Sequence, residues 1–343
     1  MGERKDRQRR SDTTSTYTVG IDLGGTKVAA GLVDGKGRLE KESRRATVPP
    51  WMADSDPRSL ANPTAKDVKR HIEYVVSAMA ESVIECVDAL PAKKKLAGVG
   101  LASAGPMDIR TGFLIQPSNF SGWKKVPLVS LLTKRLRTQR LKTTVHFQND
   151  AIAAALGEGW TGVAKGLETY AVITVGTGIG TGVIFNGRPA QSRGMGSEWG
   201  HTIALAPGFM KEPMSFRDRE VEGLASGTGL VKRARAMGLE FATAGEIAKA
   251  ASEGHEGAKE LFETAAEALA GLFYTLSLGF HPEAFAVSGG MLAIREHFLP
   301  QAIDLYRMAM KANNPMFLTP IRIAKLGTKA GVVGAARLPR LHL

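Results

Sequence analysis

One pattern limits what this chain can become more than any other: the order strand, glycine-rich turn, strand, hairpin turn occurs twice. The first copy runs TYTVGIDL (16–23), a Gly24-Gly25 turn, TKVAAGLVD (26–34) and an Asp34-Gly35 turn into RLEKESRRATV (38–48). The second runs TYAVITV (169–175), GTGIG (176–180) and TGVIFNG (181–187), closed by Asn186-Gly187. β-branched runs broken by glycine and Asn-Gly or Asp-Gly pairs read as hairpins. Helical periodicity follows each copy, at 67–90 and at 258–280, with short apolar strands at 95–102, 143–150 and 284–290. Strands that alternate with helices predict α/β layers with parallel pairing beyond each opening hairpin. The layout is that of an internal duplication, two α/β domains with a cleft between them.

Length agrees, because 343 residues exceed the size at which one core usually stops growing. The boundaries read as a basic arm over 1–16 without fixed structure, a small domain over 17–142, a large one over 143–328, and a C-terminal helix over 329–343 that packs back on the small domain. The proline-rich stretch 48–66 reads as a loop. A single cysteine, Cys86, excludes an internal disulfide framework and a cysteine-rich zinc site, and fits a reducing cytoplasm. No run of eighteen apolar residues is present to span a membrane, and the polar, basic start lacks the apolar core of a secretory signal. The net charge of +12 leaves nucleic acid open as a partner. Part of the excess lies in residues 1–10 and part in TKRLRTQRLK (133–142). No aromatics punctuate these stretches, so a solvated basic face is the reading against a stacking platform, and no nucleic-acid partner is expected.

Asp22 stands at the end of a buried-looking strand, directly before the glycine pair. An unpaired buried carboxylate is costly, whereas one at a strand mouth can hold a metal. The turns at Gly24, Gly25, Thr26 and Lys27 and at Gly176, Thr177 and Gly178 let backbone N–H groups approach an anion, since no Cβ intervenes. Neither matches G-x-x-x-x-G-K-[ST], and the second enters a strand, where a dinucleotide fingerprint would open a helix. Each alone is equally a tight hairpin. Their recurrence at equivalent places favours two phosphate-binding turns for a nucleoside triphosphate, with Asp22 near Mg²⁺, directly or through water.

From IDLGGTK (21–27) to AKLGTKAGVVGAA (324–336) the chain resembles the ROK (repressor, ORF, kinase) family of sugar kinases, within the superfamily of hexokinase and actin. The resemblance implies two actin-like (ribonuclease H-like) domains. In NDAIAAALGEGW (149–160) it implies that Asp150 is the catalytic base; the residues alone favour an N-cap aspartate. It implies sugar contacts from Ser103 and Gly105 in GLASAGPMD, Asn119 in PSNFSGW, Asn149, Glu198 and His201 in GSEWGHTIA, and Glu222 in VEGLASG. Gly227 in SGTGLVKRA and Gly289-Gly290 in VSGGML correspond to the adenosine side. Trp123 and Trp160 read as packing residues.

The chain departs from the family at 204–223, where many ROK proteins carry three cysteines that bind zinc with the histidine of E-x-G-H. No cysteine is present there, so no structural zinc is expected, and Phe209 and Phe216 are the candidates to hold that loop by packing inward. The implied activity is ATP- and Mg²⁺-dependent phosphorylation of the 6-hydroxyl of glucose by a cytoplasmic homodimer. N-acetylmannosamine, N-acetylglucosamine, fructose and allose remain open as substrates, and polyphosphate as donor. A sugar-binding regulator is the other class, but ROK repressors carry a helix-turn-helix domain ahead of the first strand.

Overall fold

Mostly apolar inward positions of TYTVGIDL and KVAAGLV make the opening hairpin, with Thr18 the buried polar exception, and its register is tight because both strands are largely buried. The computed structural model describes residues 16–53, 63–204 and 216–341. Contacts divide it into two units. Unit 1 comprises the chain to Lys165, Gln191–Gly196 and the chain from Thr328; unit 2 comprises Gly166–Ala190 and Ser197–Gly327.

In unit 1, β1 (Thr16–Leu23) pairs antiparallel with β2 (Lys27–Val33), and β2 with β3 (Leu39–Ala46). On the other side of β1 lie β4 (Lys95–Ser103) and β8 (Val145–Asn149), both parallel to it, in the order β3-β2-β1-β4-β8. A small separate sheet contains β5 (Met107–Asp108), β6 (Phe113–Ile115) and β7 (Lys125–Val126). Helix α1 (Ala65–Asp88) is opened by a capping box between Thr64 and Asp67 and, with α2 (Leu128–Thr138), covers one apolar cluster around Val19, Ile21, Val75, Met79, Leu101 and Leu132.

Against the same sheet pack α3 (Asp150–Thr161) and the C-terminal helix Ala330–Arg337. These contacts are made backbone to backbone. A Cβ on Gly20 would overlap the Val332 carbonyl, one on Gly100 the Ala335 carbonyl, and one on Gly334 the Ala153 carbonyl. Small residues therefore set the helix height above the sheet.

Unit 2 repeats the topology. Strands β9 (Tyr170–Val175), β10 (Ile179–Phe185) and β11 (Arg188–Pro189) form the antiparallel part, and β12 (Ala284–Ser288) and β13 (Ile321–Ile323) the parallel part, in the order β11-β10-β9-β12-β13. Helices α4 (Val221–Ala225), α5 (Gly227–Ala236), α6 (Ala244–Ser252), α7 (Glu256–Phe280) and α8 (Leu299–Asn313) surround a core of Ile173, Phe262, Phe273, Phe285 and Tyr306. The duplication read from the two glycine-turn hairpins is a duplication of strand order.

Two domain boundaries and one turn differ from expectation. Residues 143–165 lie in unit 1, not in the second domain, because β8 completes the first sheet and α3 packs on the C-terminal helix. Gln191–Gly196 also returns to unit 1: the Arg193 carbonyl accepts from Ile109 N at 2.9 Å, and Gln191 Nε2 donates to Gln148 Oε1 at 2.9 Å. In the β2–β3 connection the left-handed residue is Gly37 (φ 81°), not Gly35, because Asp34 Oδ1 accepts from the backbone N–H groups of Lys36 and Arg38 and lengthens the turn. The Asn186-Gly187 turn holds both residues at positive φ, 50° and 73°, as a type I′ hairpin requires. Residues 1–15, which include most of the expected basic arm, lie outside the described residues, as do 54–62 of the expected loop.

Close packing makes a sharp contrast testable. Gly100→Ala should lower stability by about 2 kcal/mol or more, because overpacking here meets backbone rather than a side chain. Gly271→Ala, on an exposed helical position with nothing near the added methyl, should raise it by about 0.5–1 kcal/mol. Urea unfolding midpoints of the two variants give the comparison; equal shifts would contradict the backbone contact.

Candidate active site

In unit 1 the parallel strands β1, β4 and β8 end in one row. Leu23 lies opposite Ser103, and Ser103 opposite Asn149, with Asp22 opposite Ala102 one step earlier. The carboxyl ends of parallel strands are where open α/β sheets bind ligands. Asn149 leaves β8 in an extended conformation and caps α3: its Oδ1 accepts from Ala151 N at 2.9 Å and Ile152 N at 3.2 Å. The capping role open to Asp150 therefore belongs to Asn149. Asp150 is the first helical residue, and its carboxylate accepts one bond from Ala151 N at 2.8 Å.

Both carboxylates are perturbed. Burial, then the charge of Asp150, push Asp22 up to about 6, against the opposing pull of Lys27. Asp150 is also raised by burial, opposed by backbone N–H groups of Ala151 and of Asp150 itself. Two partly buried carboxylates near one another, with one lysine nearby, form a place where positive charge is lacking. Gly331 of the C-terminal helix reaches Asp22 so closely that a Cβ there would overlap the carboxylate.

The turn beside Asp22 is closed by Gly24 N donating to Lys27 O at 3.0 Å, with Thr26 and Lys27 exposed. Gly25 has a reason beyond anion binding: a Cβ there would lie 2.7 Å from the Asn119 Cβ. Turn and loop thus touch, and Asn119 is placed beside the expected phosphate turn. Ser103 is fully buried, with Oγ donating to the Ala104 carbonyl at 3.2 Å. A Cβ on Gly105 would stand 3.9 Å from Asn149 Nδ2.

Unit 2 presents an analogous turn. Gly176 N donates to Gly178 O at 2.9 Å, and the turn is held by Gly227 N on Gly176 O at 2.8 Å and Thr228 N on Thr177 O at 3.3 Å. A Cβ on Gly178 would come 2.5 Å from Glu222 Oε2, and that oxygen accepts from Ile179 N at 2.7 Å. In each unit, then, a missing Cβ in the glycine turn admits a side chain expected to meet sugar: Asn119 at Gly25, Glu222 at Gly178. A pocket of about 540 Å³ opens beside Gly176 and Thr177, with Gly227 and Gly290 in its wall and Val231, Ala244 and Met291 as its apolar surface. Val231 and Met291 lie in SGTGLVKRA and VSGGML, the segments read as the adenosine side, whereas Ala244 comes from a segment that carried no local signal. Gly289 (φ 105°) allows the chain to pass over β9, where a side chain would overlap the Val175 backbone.

His201 and Glu198 frame the short turn Trp199–His201. His201 Nδ1 is 2.8 Å from Glu220 Oε2, a partner the sequence reading did not name. Partial burial works against a charged ring, but the bond the ring donates to Glu220 and the nearby carboxylates of Glu222, Glu220 and Glu198 outweigh it and raise the His201 pKa. Glu220 also sits in a two-stranded contact: Ile203 bridges Glu220, Ala204 N donates to Arg219 O at 2.9 Å, and Val221 N to Thr202 O at 3.0 Å. Phe209 and the side chain of Phe216, the expected anchors here, lie outside the described residues.

Among the described residues no group of three or more His, Cys, Asp and Glu side chains could hold a metal. Magnesium differs from zinc in this respect, because it takes most of its ligands from water and substrate phosphates. The partly buried, charge-deficient Asp22 carboxylate fits such a single protein ligand.

With this geometry in place, the comparisons with known proteins are decisive about kinship. The family model described as ROK family matches residues 18–341, and the chain belongs to the ROK family. It is 33% identical to a Thermotoga maritima glucokinase over 193 residues, 56% of this chain and 52% of that protein. It is 28% identical to a Streptomyces coelicolor glucokinase over 94% of this chain and 97% of that one. An N-acetylmannosamine kinase of Salmonella arizonae is also 28% identical, over 94% and 97%. Among solved structures, a ROK family glucokinase from Streptomyces griseus in complex with glucose and AMPPNP superposes with a TM-score of 0.68 at 28% identity, covering 94% of this chain and 99% of that one. The architecture is the actin-like, two-domain α/β fold of these ROK structures.

The raised Asp22 pKa carries a stability consequence. A carboxyl that is harder to ionise folded than unfolded contributes stability below the unfolded value of 3.8, and loses it as pH rises through about 6. Asp22→Asn should therefore be more stable than the parent at pH 8, by up to about 3 kcal/mol, with the gap closing below pH 4. Thermal melts of both proteins across pH 4–8 measure this; a variant less stable at pH 8 would contradict it.

Proposed function

We propose that this chain is an ATP-dependent hexose kinase that transfers the γ-phosphoryl group to the 6-hydroxyl of glucose. The observation that carries the reading is the row of strand ends that places Asp22 and Asp150 at the same edge of the unit 1 sheet. Phosphoryl transfer asks little covalent chemistry of a protein; it asks for positioned donors, a cation and a proton acceptor.

In this reading Asp150 accepts the proton of the attacking hydroxyl. Its raised pKa moves it towards the working pH, which improves a carboxylate as a base. The N-terminal end of α3 and the Ala151 amide keep the carboxylate oriented. Asn119 and Asn149 hold sugar hydroxyls from unit 1, with Ser103 and Gly105 shaping the floor beneath them. By the family resemblance, Glu198, His201 and Glu222 are further hydroxyl ligands. A ring of hydroxyls is matched by several such acceptors and donors rather than by one strong group. The turns Gly24–Thr26 and Gly176–Gly178 present N–H groups to the triphosphate, and Lys27 adds a positive charge. The pocket bounded by Gly227, Gly290 and Met291 takes the nucleoside. Magnesium held through Asp22 would supply the positive charge that the phosphoryl oxygens and the two carboxylates lack.

A second reading keeps the chemistry and changes the sugar. The similarity to an N-acetylmannosamine kinase equals that to the Streptomyces coelicolor glucokinase in identity, so an N-acetylhexosamine is the competing substrate.

A coupled ADP-release assay across glucose, mannose, fructose, N-acetylglucosamine and N-acetylmannosamine tests both. Glucose should give the highest kcat/KM, and Asp150→Asn should lower kcat at least about 100-fold while hexose affinity measured by calorimetry stays within about threefold. Preference for an N-acetylhexosamine would replace the substrate and keep the kinase. Turnover retained by the Asp150 variant would remove its role as base.

A further inference from the structure

We propose that His71, which no motif singles out, is a positioning residue that ties the Gly24–Thr26 turn to the Asn119 loop; the proposal rests on the kinase reading for what those two segments bind. His71 lies on α1, 6% exposed. Its Nε2 is 2.9 Å from the Thr47 carbonyl, and the Trp123 indole Nε1 is 3.3 Å from its Nδ1. A carbonyl only accepts and an indole N–H only donates. The hydrogen therefore sits on Nε2 and the lone pair on Nδ1, which makes the ring neutral in one tautomer. Burial, which holds its pKa below the usual histidine value, agrees.

Each nitrogen leads to a different half of the unit 1 site. On the Nε2 side, Thr47 is fully buried and grips the glycine turn twice: its backbone N–H donates to Thr26 O at 3.1 Å, and its Oγ1 donates to Gly25 O at 2.7 Å. Those bonds pin the carbonyls of the turn and so set the direction in which it presents its N–H groups. On the Nδ1 side, Trp123 is stacked on Phe120 with centroids 4.5 Å apart, and the imidazole meets both rings edge-on at 5.5 and 5.8 Å. Phe120 is the neighbour of Asn119, and the loop is closed by Phe120 N on Pro117 O and Trp123 N on Phe120 O. Turn and loop then meet where Gly25 leaves room for Asn119. One buried ring thus fixes a phosphate-side element and a sugar-side element without touching either substrate.

Two conservative replacements separate the halves. His71→Gln puts an amide nitrogen near Nε2 and keeps the bond to Thr47, but offers Trp123 no acceptor at the Nδ1 position. His71→Asn puts an amide oxygen near Nδ1 and keeps the Trp123 bond, but does not reach Thr47. Trp123→Phe removes the indole donor and keeps the stacking, and is the mildest of the three. His71→Asn should raise KM for ATP about fivefold, the effect of one net hydrogen bond, with KM for hexose nearly unchanged. His71→Gln and Trp123→Phe should each raise KM for hexose by about that factor and leave KM for ATP, and the double variant should be no worse than either alone. A histidine that only fills the core would lower the melting temperature and leave both KM values in step, and that result would overturn the proposal.

Amide hydrogen exchange on the ligand-free protein reads the same coupling without activity. His71→Phe should speed exchange at 24–26 and at 117–123 together, whereas acceleration of one segment alone would also overturn it. Coupled exchange in a protein with no hexose turnover would leave His71 in its role and remove the kinase reading instead.

Discussion

Everything in unit 1 depends on helices brought down onto a sheet until backbone meets backbone. Gly20, Gly100 and Gly334 allow the C-terminal helix to rest on β1, β4 and α3 with no side chain between them. A methyl at any of these points has nowhere to go, because the atom it meets is a carbonyl oxygen in a hydrogen-bonded element. This closeness places α3, and with it Asp150, at the end of the same sheet that ends in Asp22. It also brings Gly331 onto the Asp22 carboxylate, adding to the burial that, together with the charge of Asp150, raises its pKa.

The two units show how one topology diverges in chemistry. Strand order and pairing sense are the same in both sheets, and both glycine turns lack a Cβ at the point where a polar side chain enters. Beyond that they differ. Unit 1 gathers Asp22, Asp150, Asn119 and Asn149 at its strand ends, whereas unit 2 gathers a pocket wall of glycine, threonine and apolar residues together with the His201–Glu220 pair. Fold similarity alone does not specify a reaction; the side chains at the strand ends carry the reading of phosphoryl transfer.

The His201–Glu220 pair and the strand contact beneath it also answer how the ends of the segment around 205–215 are held. An antiparallel bridge of two backbone bonds and a carboxylate–imidazole contact join Thr202–Ala204 to Arg219–Val221. In unit 1, His71 joins two segments that are themselves loops. His71 engages one partner with each nitrogen, as an imidazole can, whereas His201 uses Nδ1 for Glu220.

By itself the sequence determined the local elements: the two glycine-turn hairpins, the amphipathic helices and the short buried strands appear where their periodicities put them, apart from the turn after β2, where Gly37 takes the left-handed place expected at Gly35. Those signals are local, carried by residues a few positions apart, and so they survive without tertiary information. The family resemblance extended this to named residues such as Asp22, Asp150, Asn119 and Glu222, which the structure places beside the strand ends or turns. What tertiary structure alone decided depends on contacts between distant residues. The pairing of β8 with β4 moved residues 143–165 into unit 1, and Asn149, not Asp150, took the helix cap because of where β8 ends. His71 with Trp123 and Thr47, and His201 with Glu220, are pairs that no spacing announces. A glycine in a sequence signals freedom; only the fold shows that at Gly25 and Gly178 its purpose is to make room.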